Sequence, residues 1–561
     1  MEKDFLKTNH YRILIIVLGS FIFMPFLGRA PLFDWDEINF AESAREMIVT
    51  GNYARVQINF QPFWEKPPLF FWLQVLSMKV FGINEYAARF PNALFGVISL
   101  LTLFEIGRTL KSIRFGLIWC FCLLISFLPH VYFKSGVIDP VFNYFIFTSI
   151  FFLTRAQAAF EKFSILKNSF FAGILTGLAI LTKGPVGLLM PILVIMILML
   201  LNRFRLPIRL NGLIIWIGSA LLIASIWFLP ETIQHGSWFI KEFIDYQIRL
   251  FSTPDAGHAQ PVYYHFLVVL TGCFPMSIFA LPVLFNRSQM QNGTNDFGLW
   301  MKILFWTVLI LFSLVTTKII HYSSLTYLPL SYLAAVATEN LITEKKQWSL
   351  VVKILYWLVG IMIGSAMLIV PIVGMFPEFI VPYIKDPFAV ANLNAKVHWT
   401  FLDFLPGIIW FIAIFLGYSF WVRRKQISGF AILGLGLLLS TTFFLFLFPK
   451  KIAGYTQQSP TSFYSGLKGK NVYLETLGFK SYAQYFYFQK PGLSLQEQKN
   501  CLDEKGNYSI DHLRSWYLNG EIDKPVFFVV KSQKAPDYLS NPEIKIIEEK
   551  NGFSFLKRQP R

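Results

Sequence analysis

The sequence predicts an α-helical polytopic membrane protein of about 13 transmembrane helices, followed by a small α/β domain outside the membrane. Three observations carry that expectation: the composition, the recurrence of long apolar runs, and a change of pattern after Pro449. Of 561 residues, 55% are hydrophobic, 15% are charged and 60 are phenylalanine, too few charges to cover a water-soluble fold of this size. Apolar runs of about twenty residues, the length that crosses a bilayer core, follow one another from Arg12 to Pro449. Beyond them the strand-like runs NVYLE, PVFFVV, IKIIEE and FSFLKR alternate with polar segments and one aromatic helix candidate, SYAQYFYF. The expected division is a membrane domain over 1–451, with amphipathic helices of the outer face within 29–87, and a soluble extracytoplasmic domain over 452–561.

The first apolar run is one of many and no small-residue cleavage site follows it, so it reads as a retained span. A net charge of +17 raises the question of nucleic acid, but the basic residues lie in short loops between spans, where orientation rules place them. Cys120, Cys122 and Cys273 fall in apolar runs and Cys501 stands alone, which suggests neither a disulfide framework nor a cysteine metal site. Basic loops such as Arg108/Lys111/Arg114, Arg203/Arg205/Arg209 and Arg423/Arg424/Lys425 are expected to face the cytoplasm. The N-terminus then lies inside and everything after Pro449 lies outside. Six segments remain for the outer face: Asp34 to Lys66, Asp139, Lys183-Gly184-Pro185, Glu231 to Pro261, Lys318 to Tyr322, and Pro377 to Trp399. Ionisable groups beside a bilayer are costly unless used, so a shared extracytoplasmic site is the economical explanation.

The stretch FDWDEINFAESAREM predicts a short helix from Glu37, with Phe40, Ala41, Ala44, Met47 and Ile48 on one face and Glu42, Arg45 and Glu46 elsewhere, stopped by Gly51. Asp34 and Asp36 at its start are either N-caps or site carboxylates. In FWEKPPLFFWL, Pro67 bars Lys66 from a helical conformation and Pro68 opens the next helix, so Glu65 and Lys66 sit on an extended corner; a plain surface ion pair is the alternative. Asp139 precedes a proline at the end of a span, as a cap or a site acid. Lys183 occupies an outer turn against the orientation bias. Lys318, His321 and Tyr322 fall at another outer rim, and His258, Tyr263 and Tyr264 end the long outer loop, where tyrosines alone can be interfacial anchors. Each bland reading survives singly; jointly they require coincidence on one face.

Acids and lysines at a lipid–water boundary suit an amphiphilic anionic substrate, most simply a polyprenyl phosphate. If that lipid carries a sugar, phosphate is already a good leaving group. The protein has then to accept a proton from the attacking hydroxyl and to hold the departing phosphate with cations.

DWDEINFAESAREM, WEKPPLFFWL, ARFPN, LAILTKGPVGLLMP and the Lys-x-x-His-Tyr segment together resemble the polyprenyl-phosphate-sugar transferases of the GT-C fold. Within these the resemblance is to the branch of the bacterial 4-amino-4-deoxy-L-arabinose lipid A transferases and the protein O-mannosyltransferases, over about Leu32 to Pro329. It implies that Asp36 is the catalytic aspartate, with Glu37 following it, and that Glu65 shapes the site while Lys66 meets the lipid phosphate. It further implies that Asp139 and Lys183 line the same cavity, that Lys318, His321 and Tyr322 contact phosphate or sugar, and that His258 belongs to a loop closing over the donor. Asn39 and Phe40 stand where many relatives carry Arg and Tyr; Arg249 is expected to compensate for the missing cation.

The expected function is an inverting glycosyltransferase of the bacterial inner membrane, with the active site and C-terminal domain facing the periplasm. It would move a sugar from undecaprenyl phosphate to lipid A, a glycan or a protein hydroxyl. Asp36, Glu65 and Asp139 are the expected catalytic acids, and Glu37, Lys66, Lys183, Arg249, His258, Lys318, His321 and Tyr322 the substrate or phosphate contacts. No cofactor is required, and the acidic residues leave room for a divalent cation. A transporter or flippase of a lipid-linked sugar is the alternative, though such proteins place their charges near the bilayer midplane on repeated broken helices.

Overall fold

A computed structural model of the protein describes residues 2–63, 65–252, 260–286, 295–344, 347–504 and 506–560. Among these, seven helices are long and apolar enough to cross a membrane: Glu85–Leu110, Lys162–Lys183, Leu210–His235, Phe297–Leu314, Leu350–Met375, Phe401–Val422 and Gln426–Tyr455. The pair Tyr264–Gly272 and Met276–Phe285, bent by 117°, brings the number to eight if it is one broken span. Length and composition thus identify fewer spans than the sequence led us to expect. Thr8–Phe23, Ile113–Leu124 and Val186–Leu201 are apolar but short, and Asp139–Ala158 buries Asn143, Thr148, Ser149 and Thr154 among its apolar residues.

Local chemistry fixes the helix ends. Asn84, Ser112 and Ser349 accept hydrogen bonds from the third following backbone N–H and start their helices. The helices cross closely where glycine permits: a Cβ on Gly107 would lie 2.7 Å from the Cα of Gly116, so Glu85–Leu110 and Ile113–Leu124 meet backbone to backbone. The segment from Glu231 to Pro261, expected as a loop, instead extends the helix Leu210–His235 and then forms a second helix, Trp238–Ser252.

All four strand-like runs form one sheet, in the order Tyr473–Leu477, Val526–Lys531, Phe553–Arg558, Ile544–Lys550. The first pair is parallel and the other two antiparallel. SYAQYFYF supplies the helix Ala483–Phe488. The sheet does not hang free beyond the last span. Tyr464, Leu474, Phe486, Val529 and Phe555 belong to the same apolar cluster as the membrane helices, while Leu513, Tyr517 and Phe528 form a second cluster on the sheet's other face. The last membrane helix runs unbroken to Tyr455, past the expected boundary at 451.

The helix Asp36–Thr50 forms as expected and ends at Gly51 in the left-handed region, φ +70°. Its polar face is nevertheless buried. Arg45 is 1% exposed, bonds both oxygens of Glu42 at 2.7 Å, and donates to the carbonyl of Lys490 from the C-terminal part. Burial, reinforced by the adjacent Glu42 charge, raises the Glu46 carboxyl well above its ordinary range. A raised native value means that the folded chain binds the proton more tightly than the unfolded chain. Stability is therefore fullest below the ordinary value and declines as pH rises through the raised one. Glu46→Gln removes the shared charge and is expected to stabilise by about 1 kcal/mol at pH 8, with a smaller gain at pH 5. Thermal unfolding in detergent at both pH values reads this, and an equal shift at the two would refute the raised Glu46 carboxyl as its cause.

Candidate active site

Asp36 is the first residue of its helix, yet it does not cap it. The preceding Trp35 adopts φ +92° with no side-chain cap, while Glu37 accepts from the N–H of Phe33, upstream of the helix, at 2.8 Å. The Asp36 side chain stays 34% exposed, directed into a cavity of about 700 Å³. Asp139 likewise begins its helix without capping it and ion-pairs with Lys183, the last residue of Lys162–Lys183. Gly184, at φ +84°, turns the chain there. His321, on the short helix Ile320–Thr326, places Nε2 3.4 Å from Asp36 and 3.9 Å from Asp139, bridging the two acids. Glu65 and Lys66 enter from the Pro67-Pro68 corner.

The cavity is thus lined by Asp36, Glu65, Lys66, Asp139, Lys183, Arg249, His321 and Tyr322, brought together from five separate parts of the chain. Asn39 and Phe40 also line it, and Arg249, from Trp238–Ser252, supplies a cation to the same space. Lys183 lies 5.4 Å from the Tyr322 ring centre. Burial pushes the Lys66 ammonium below its ordinary value; Glu65 opposes the shift and Lys183 adds to it. An arriving phosphate would favour the charged form of this lysine, which makes Lys66 responsive to an anionic ligand.

Two expected site residues do not line the cavity. Glu37 is 3% exposed and is held by Arg89 and by the backbone N–H of Gly136, so its role is to join the first loop to the segment ahead of Asp139. Lys318 is buried and donates to the carbonyl of Val315 at 2.7 Å, which closes its own turn. His258 lies outside the described residues. Among the described residues, no group of three or more His, Cys, Asp or Glu has metal-holding geometry.

Sequence reasoning missed Trp35, Lys480 and Tyr482 as lining residues, and Arg89 as the partner of Glu37. Arg89 had a signal: it is the arginine of ARFPN, at the head of an apolar run, where a charge requires a buried acid. Lys480 and Tyr482 had none, because they come from the C-terminal part.

Residues 65–233 match the family model described as dolichyl-phosphate-mannose-protein mannosyltransferase. The chain is 24% identical over 446 residues to the undecaprenyl phosphate-alpha-4-amino-4-deoxy-L-arabinose arabinosyl transferase of Pectobacterium atrosepticum, covering 78% of this chain and 76% of that one. It is 25% identical to the corresponding protein of Erwinia tasmaniensis over 59% of this chain, spanning 60% of that relative's length. The crystal structure of ArnT from Cupriavidus metallidurans in the apo state superposes with a TM-score of 0.76 at 17% identity, over 98% of both chains. The same protein bound to undecaprenyl phosphate gives 0.75. The chain is a multi-pass membrane protein with the GT-C fold of ArnT, and it resembles the polyprenyl-phosphate-sugar glycosyltransferases.

Proposed function

We propose that the protein is an inverting glycosyltransferase that moves one sugar from undecaprenyl phosphate to an acceptor at the outer face of the inner membrane, a lipid of the lipid A type or a hydroxyl of a glycan or protein. The observation that carries this reading is the meeting of Asp36, Asp139 and His321 with Lys66 and Lys183 in one cavity. Its apolar wall, from Leu188, Leu189, Ile192, Leu311 and Phe312, suits a polyprenyl chain, and its cations suit the phosphate. Asp36 would take the proton of an attacking hydroxyl, or orient an acceptor that is already anionic, while Lys66, Lys183 and Arg249 stabilise the leaving phosphate. In-line attack at the anomeric carbon inverts its configuration. The transporter alternative fits less well, since the cavity acids sit at helix ends and not at mid-span. We place the cavity and the sheet on the periplasmic side because the basic residues Arg155 and Lys162 lie at the helix ends away from Asp139 and Lys183, and we assign no metal to the reaction.

The test is binding. In purified full-length protein, Lys66→Ala is expected to weaken undecaprenyl phosphate binding by about 1.5–3 kcal/mol, roughly ten- to hundredfold, with Arg249→Ala losing less. Undiminished binding in both variants would remove the phosphate from this cavity and the proposed reaction with it.

A further inference from the structure

The same cavity has a wall that the membrane helices do not provide. Lys480 and Tyr482 follow the strand Tyr473–Leu477 and line it beside the start of Asp36–Thr50. We propose that Lys480 is a substrate-binding residue that holds a phosphoryl group at this side of the cavity, so that the C-terminal domain is part of the site. The inference rests on the transferase reading above.

The loop carrying Lys480 is held to the first loop from both sides. Ser481 and the backbone of Tyr482 lie beside the Asp34 carboxyl and oppose the rise that burial imposes on it. The Gln457 side chain donates to the carbonyl of Leu32 at 2.6 Å and accepts from the N–H of Asp34 at 3.0 Å, while Leu32 N–H donates to the Tyr487 hydroxyl at 2.8 Å. Gly478, at φ +72°, turns the chain out of the strand just before the lysine. Lys480 is therefore placed by a fixed frame.

Its ammonium lies 5.3 Å from the Trp35 ring centre and 5.4 Å from that of Tyr482. Two aromatic faces orient a cation without neutralising it. Lys480 makes no ion pair among the described residues, in contrast to Lys183, which is paired with Asp139. By formal charge the cavity holds Lys66, Lys183, Arg249 and Lys480 against Asp36, Glu65 and Asp139, a cationic excess before His321 is counted. Lys183 pairs with Asp139 and Lys66 lies within reach of both Asp36 and Asp139, whereas Lys480 stacks on Trp35, the residue just before Asp36. A phosphoryl group at the Lys480 end would lie on the Asp36 side of the site. Phosphate chemistry has two sources here, the polyprenyl donor and a phosphorylated lipid acceptor.

Native mass spectrometry of the full-length protein in detergent, titrated separately with undecaprenyl phosphate and with bis-phosphorylated lipid A, distinguishes them. Lys480→Met keeps the aliphatic stem against both rings and removes the charge; Lys480→Arg keeps the charge. We expect Lys480→Met to weaken at least one lipid by about tenfold or more and Lys480→Arg to restore most of it. Loss confined to lipid A assigns the acceptor's phosphate, and loss confined to undecaprenyl phosphate assigns the donor's. Wild-type affinity for both lipids in Lys480→Met overturns the proposal while leaving the transferase reading intact. Failure of the wild-type protein to bind either lipid overturns both.

Discussion

Replacing Asp36 with asparagine is expected to lower turnover by about 10²- to 10⁴-fold, while undecaprenyl phosphate binding stays within about twofold. Asn keeps the volume of the side chain and removes only its charge. Because Asp36 caps nothing and is one-third exposed, its helix should form unchanged. What disappears is the carboxylate 3.4 Å from His321, the group placed to accept a proton or hold a nucleophile in line. The pH profile separates the two roles. A base acting on a hydroxyl leaves a pH-dependent rate in the wild type and loses that dependence in the variant. An acceptor that attacks through a phosphate oxygen needs no proton removed, and the loss is then smaller and independent of pH. Turnover of Asp36→Asn equal to wild type would move the chemistry to Glu65 or Asp139.

Much of the site was legible because each expected residue broke a local rule. A lysine in an outer turn, an aspartate before a proline at the end of a span, and an acid–lysine pair ahead of two prolines are all costly beside lipid unless something uses them. Asp36, Glu65, Lys66, Asp139, Lys183, Arg249, His321 and Tyr322 do line one cavity. The four strands were equally legible, since apolar alternation between turn residues survives without tertiary context. Glu37 and Lys318 show the limit. Both are ionisable residues in the expected segments, but their side chains are consumed by Arg89 and by the Val315 carbonyl. Nothing in local sequence reveals whether a charge faces a cavity or a buried partner. The polar face of Asp36–Thr50 misleads for a related reason: amphipathic periodicity says where apolar residues point, and here the opposite face is covered by the C-terminal part through Lys490. That burial, and the presence of Lys480 in the cavity, depend on contacts across more than four hundred residues.

Arg89→Ala is expected to destabilise the protein by about 3–5 kcal/mol, the cost of leaving a buried charge without its partner. Arg89 uses its whole guanidinium. Nε and Nη2 hold the two oxygens of Glu37 at 3.0 and 2.7 Å, and the remaining N–H groups reach the carbonyls of Leu27, Ala30 and Pro31 at 2.7 to 2.9 Å. Glu37 in turn accepts from Phe33 and Gly136. One ion pair thereby fixes the approach to Asp36, and Gly136 stands three residues before Asp139. Arg89→Lys is not conservative here, because an ammonium has three donors and no planar fork. Burial alone would raise the Glu37 carboxyl, but Arg89 and the two backbone N–H groups outweigh it and hold it below its ordinary value. Its contribution is therefore present above the ordinary carboxylate range and is lost as pH falls through the lowered native value. Unfolding in detergent measures these effects. Arg89→Met with Glu37→Leu, which removes both charges, should be less destabilised than Arg89→Ala alone. Donor affinity should fall in Arg89→Ala even below its unfolding temperature, because the starts of both acid-bearing helices lose their common tie. An Arg89→Ala protein within about 0.5 kcal/mol of wild type would mean that the pair is dispensable and that the cavity is held by helix packing alone.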